Sequence, residues 1–88
     1  MVEWRKIQEQ TLVALQFPSM KGSQVLRLLK RVGYTVDRQR GSHRKLVADN
    51  RPPLVFGWHD NADVSPQALK NLLVKQVGLT DEEIAELL

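Results

Sequence analysis

Eighty-eight residues suffice for one small domain with a single modest core, and 42 % apolar with 26 % charged residues is ordinary for a soluble globular chain. The absence of cysteine excludes a disulfide framework, a thiolate metal site and a thiol nucleophile. No apolar run approaches the roughly 18 residues of a membrane span, and Met1–Arg5 lacks the order of a secretion signal, so a cytoplasmic protein without membrane contact is expected.

The net charge of +3 hides an asymmetry. Residues 21–51 carry nine basic groups against Asp37 and Asp49, whereas residues 52–88 carry Lys70 and Lys75 against six acids. So one-sided a field in so small a domain is the usual footprint of a nucleic-acid binder, although an acidic protein partner would also answer it.

Residues 1–19 read as an N-terminal extension. Trp4, Ile7, Thr11 and Leu15 fall at helical spacing while Val13, Leu15 and Phe17 alternate like a strand; Pro18 ends either, and on length a short helix is favoured. Ser23 is placed to cap a helix whose apolar stripe is Val25, Leu26, Leu28, Leu29 and Val32, with Gly33 as its stop. Tyr34–Gln39 alternates like a strand, and His43–Ala48 like its antiparallel partner.

Register decides what His43 faces. A two-residue Gly41-Ser42 turn sets Arg38 opposite Lys45, a like-charge pair. A three-residue Arg40-Gly41-Ser42 loop instead pairs Gln39 with His43 and Asp37 with Lys45. It also gathers Tyr34, Val36, Leu46 and Ala48 on one face, so it is the register expected. Asp49-Asn50-Arg51-Pro52-Pro53 reads as a turn and Leu54–Trp58 as a third strand. After a His59–Val64 loop, Ser65-Pro66 opens a helix with Leu69, Leu72, Leu73 and Val77 as its buried stripe and Gly78 as its stop. Thr80-Asp81-Glu82-Glu83 is a capping box for a short last helix. The order predicts an α+β fold, α-β-β-β-α. Its three-stranded antiparallel sheet would have the helices on one face, as in the double-stranded-RNA-binding domain.

His43 is the main chemical candidate. RNA is cut without a metal when a base takes the 2′-hydroxyl proton and cations steady the charge growing on the phosphate. Arg38, Arg40, Arg44 and Lys45 supply cations around His43, Gln39 or more distantly Asp37 could orient the ring, and Ser42 and Gln39 could add hydrogen bonds to RNA. His59 is a possible secondary residue, as acid, RNA contact or loop cap. Asp60 and Asp63 are expected to cap the next helix. Two histidines with no fixed carboxylate companion are too few for a metal site, and no cofactor is expected. The residues by themselves leave three readings open: an RNA-cleaving enzyme, a non-catalytic RNA-binding module, and a basic surface for an acidic protein.

From Met20 to Leu88 the chain resembles the HicA-type mRNA interferases, toxins of HicA–HicB toxin–antitoxin pairs. The resemblance lies in Gly33-Tyr34 after a Val/Leu-rich helix and in Arg38-Gln39-Arg40-Gly41-Ser42-His43. It continues in His59-Asp60-Asn61-Ala62-Asp63 leading to Ser65-Pro66-Gln67-Ala68-Leu69, and in the helix ending Val77-Gly78-Leu79. Asp60 stands where the family's usual residue is glycine. The resemblance implies a double-stranded-RNA-binding-like fold, metal-independent mRNA cleavage with His43 catalytic, and a HicB antitoxin that covers His43.

Overall fold

The structure is a computed structural model and describes residues 17–88. The helix expected before Pro18 lies outside them. In chain order the elements are β1 (Met20–Lys21), α1 (Gly22–Val32), β2 (Thr35–Arg40), β3 (His43–Ala48), β4 (Arg51–Phe56) and β5 (Asp63–Val64). Next comes α2 (Pro66–Lys70), which runs on as a π-helical stretch (Asn71–Val77). The last helix, α3, is Asp81–Leu87. The antiparallel sheet β2-β3-β4 and the helices give the α+β architecture the sequence implied, and β1 and β5 add a two-stranded ladder that it did not.

The core follows the apolar stripes. Val25, Leu28 and Leu29 of α1 are buried, as are Leu69, Leu72, Leu73 and Val77, against Leu46, Leu54 and Phe56 from the sheet. The wide turns of Asn71–Val77 close where Gly78 (φ 81°) and Leu79 both donate to the Leu73 carbonyl. Over seven residues an apolar stripe cannot distinguish such turns from ordinary α-helical ones, so the sequence predicted α-helix throughout.

Three further expectations about the fold need correction. The first is the hairpin register. At the tip, Arg40 pairs with His43, Gln39 with Arg44 and Arg38 with Lys45 across a two-residue Gly41-Ser42 turn. Gly41 supplies the positive φ, 60°, that tight hairpin turns need. Nearer the core the expected pairing returns, with Val36 opposite Leu46 and Thr35 opposite Val47. A bulge at Asp37 absorbs the one-residue difference, so each half of the hairpin obeys its own constraint. The like-charge pair is tolerated because Arg38 and Lys45 are both exposed, where solvent screens repulsion to a fraction of a kcal/mol.

The second concerns Pro52 and Pro53, which lie in β4 rather than in a turn. The turn is Asp49-Asn50, with Asn50 at φ 61°. Ala48 pairs with Arg51 and Leu46 with Leu54, so the two prolines together oppose Val47 in a second bulge. On an edge strand, and at a bulge, their missing N–H groups cost little. Tyr34 Oη donates to the Pro52 carbonyl at 2.7 Å and anchors the bulge, while burial pushes its phenol pKa up against the lowering effect of Arg51. Tyr34→Phe is expected to cost about 1 kcal/mol in urea denaturation without changing the slope.

The third is the start of α1. Ser23 is not its cap: the helix begins at Gly22, and Lys21 N–H donates to Gln24 Oε1 at 2.9 Å. The N–H groups of Gly22 and Ser23 donate to the carbonyls of Ala62 and Asp60 at 2.9 and 3.1 Å. A loop forty residues away thus satisfies donors that a side chain was expected to meet. Ser65 and Thr80 do cap their helices, accepting from Ala68 N and Glu83 N.

Arg51 Nη2 holds Glu83 Oε2 at 2.9 Å and ties α3 to β4. The backbone N–H of Thr80, and then Arg51, lower the Glu83 pKa below its ordinary value. A depressed folded-state value means stability that is present above the unfolded pKa and lost as pH falls through the folded one. Glu83→Gln should therefore flatten the acid limb of a thermal-melt series below about pH 5, its neutral amide having no proton to take up.

Candidate functional site

Strand alternation divides the hairpin tip into two surfaces. Arg38, Arg40, His43 and Lys45 share the face of the sheet turned away from the core, with Arg40 directly opposite His43 and Lys45 opposite Val55. All five are exposed, Val55 at 69 %, and among the described residues no helix packs on this face. A Cβ placed on Gly57 would lie 3.5 Å from both Cδ2 and Nε2 of His43. The Cδ2–Nε2 edge of the ring therefore lies beside a position with no side chain. The expected neighbour Gln39 is not there: the tip register turns it to the opposite face, so Gln39 cannot orient this ring, and Arg40 takes its place.

Gln39, Ser42 and Arg44 face the other way and meet the loop after β4. With His59, Asp60 and Asn61 they line an open cleft of about 480 Å³. Arg44 Nη2 bonds Asp60 Oδ1 at 3.0 Å, with the arginine side chain only 14 % exposed and the aspartate 61 %. Among the described residues, Arg44 Nη1 is buried with no hydrogen-bond partner. Gln39 Nε2 donates to the Gly41 carbonyl at 3.2 Å. Neither Asp60 nor Asp63 caps α2 as expected; Asp60 holds Arg44 and Asp63 pairs with Lys21. Trp58 is half-buried, edge-on to Phe56 with ring centroids 5.3 Å apart, and serves packing.

The predicted site residues thus fall into two groups. Four stand together on the open face, and Gln39, Ser42, Arg44 and His59 gather behind it. Among the described residues, no three His, Asp or Glu side chains stand where they could hold a metal ion, and no helix is long and apolar enough to cross a membrane. Gly57 entered the site unannounced, and Asn61 was named only within the motif that carries the family resemblance, without a role. A glycine at a strand end and an asparagine in a polar loop carry no spacing signal, and only the fold brings them beside His43 and Gln39.

A family model described as "HicA toxin of bacterial toxin-antitoxin" matches residues 22–79, about two thirds of the chain. The chain belongs to the HicA toxin family. The match begins at the glycine where α1 starts and ends just after the π-helical stretch, so it contains the whole sheet and both surfaces of the hairpin tip. Membership makes the protein a toxin-family member whose kind pairs with an antitoxin. No protein of curated function and no solved structure gives a match.

Proposed function

We propose that this HicA-family chain is an endoribonuclease that cuts mRNA without a metal ion and so blocks translation, residues 20–88 forming the cleaving domain. The observation that carries the reading is the exposed imidazole of His43, set opposite Arg40 with Arg38 and Lys45 as the next pair on the same uncovered face. Three cations beside one titratable group can hold a phosphodiester while the imidazole works on the neighbouring ribose.

His43 takes the proton of a 2′-hydroxyl, the oxygen attacks the adjacent phosphorus, and the bond to the 5′-oxygen breaks. A cyclic phosphate and a 5′-hydroxyl result, the leaving oxygen being protonated by water or by the imidazolium just formed. Arg38, Arg40 and Lys45 face the charge that grows on the phosphoryl oxygens. Work on mRNA places the protein in the cytoplasm. A HicB-type antitoxin would silence it by lying over His43, and exposed Val55 amid the cations gives such a partner an apolar foothold.

The test is digestion of a defined transcript by the purified chain, free of antitoxin, with and without a chelator. Fragments ending in 2′,3′-cyclic phosphate at equal rates in both are expected. Intact RNA, or cleavage that stops with chelator, would sink the proposal.

A further inference from the structure

We infer that the cleft behind the hairpin tip is a nucleobase pocket that reads one unpaired base of the RNA presented to His43, an inference that rests on the ribonuclease reading. Charge is the first argument. Arg44 and Asp60 are the charged residues of the lining and neutralise each other across 3.0 Å, whereas a phosphate site would not keep a carboxylate in its wall. Donor chemistry is the second. Gln39 and Asn61 contribute carboxamides, Ser42 a hydroxyl and His59 an imidazole, a set that matches base edges and suits base stacking. The volume, about 480 Å³, lies in the range of about 300–1,000 Å³ usual for small-molecule sites.

Position is the third. Ser42 and Arg44 flank His43 in the chain and point to the opposite face, so the two surfaces are one strand apart at the tip. Between them lies Gly41, where an added Cβ would meet nothing within 4 Å. An RNA strand passing over this bare turn can leave its scissile linkage on the His43 face and tuck a splayed neighbouring base behind it. Asp60 is a positioning residue here. It fixes Arg44 through one nitrogen and cancels its charge, so that base edges rather than phosphates are selected.

The experiment separates this inference from the nuclease reading. The full chain is titrated with each of the four uncharged ribonucleosides and, separately, with inorganic phosphate, following the side-chain amide NMR signals of Gln39 and Asn61. One nucleoside is expected to shift them at millimolar concentration, with phosphate inert. Asp60→Asn should then let phosphate bind, and Asn61→Ala should weaken the base bias of cleavage in a random RNA pool about five-fold or more. No shift with any nucleoside, equal shifts with all four, or shifts by phosphate on the unaltered protein would overturn the pocket and leave the role of His43 standing. Selective nucleoside shifts in a chain that cuts no RNA would support the pocket and remove the nuclease reading.

Discussion

His43→Ala will abolish transcript cleavage, by about 10²–10⁴-fold in single-turnover rate, while the protein stays folded and keeps its grip on RNA. The fold should be indifferent because the ring is exposed and lies beside Gly57, a position with no side chain for it to support. RNA affinity should survive because it comes from Arg38, Arg40 and Lys45, whose phosphate contacts do not need the imidazole. Thermal melting, a filter-binding isotherm and a cleavage time course on the same preparation read the three properties separately. Cleavage that persists undiminished would dismiss His43 as the base and overturn the proposed mechanism. Joint loss of cleavage and of the melting transition would show a structural role that the exposed position does not predict.

Gly22→Ala is expected to be the most damaging small substitution, at about 2–4 kcal/mol. A Cβ there would run into the carbonyl oxygen of His59, well inside 3.0 Å, and that oxygen is backbone and cannot swing aside. Relief requires the 59–62 loop to lift off α1. The bonds from Gly22 and Ser23 to Ala62 and Asp60 are then lost, and Asp60 is drawn from Arg44. Ser23→Ala is the control. A true side-chain cap at Ser23 would cost about 1 kcal/mol on truncation, whereas a cap built from loop carbonyls leaves the change within about 0.5 kcal/mol. Urea denaturation of both variants decides it, and a mild Gly22→Ala beside a costly Ser23→Ala would reverse the assignment. Cleavage by Gly22→Ala should fall less than by His43→Ala, since the open face does not depend on the loop.

The elements were legible wherever a local rule fixed them. Ser65-Pro66 and the Thr80–Glu83 box start helices by satisfying their own N–H groups, and Gly33, at φ 114°, stops α1 because the next turn needs a left-handed residue. The Leu69, Leu72, Leu73 and Val77 stripe told which face is core, although not that its turns widen. The hairpin was legible in each half and not in their sum. Turn chemistry at Gly41-Ser42 and core patterning at Leu46 demand registers one residue apart, and a bulge at Asp37 meets both demands. That bulge decides which residue faces His43, so the ring's partner was misread as Gln39.

The sequence by itself determined the basic middle, the His43 motif and the stripes that make an α+β domain, because charge, turn chemistry and periodicity act between near neighbours. Only the tertiary structure decided that the predicted site residues part into a cationic face around His43 and a charge-neutral cleft around Arg44. It alone brings Asp60 to Arg44, Gly57 to the imidazole edge and the 59–62 loop to the start of α1. Those pairings depend on how strands and loops distant in the chain are laid against one another, and no spacing along the chain encodes that.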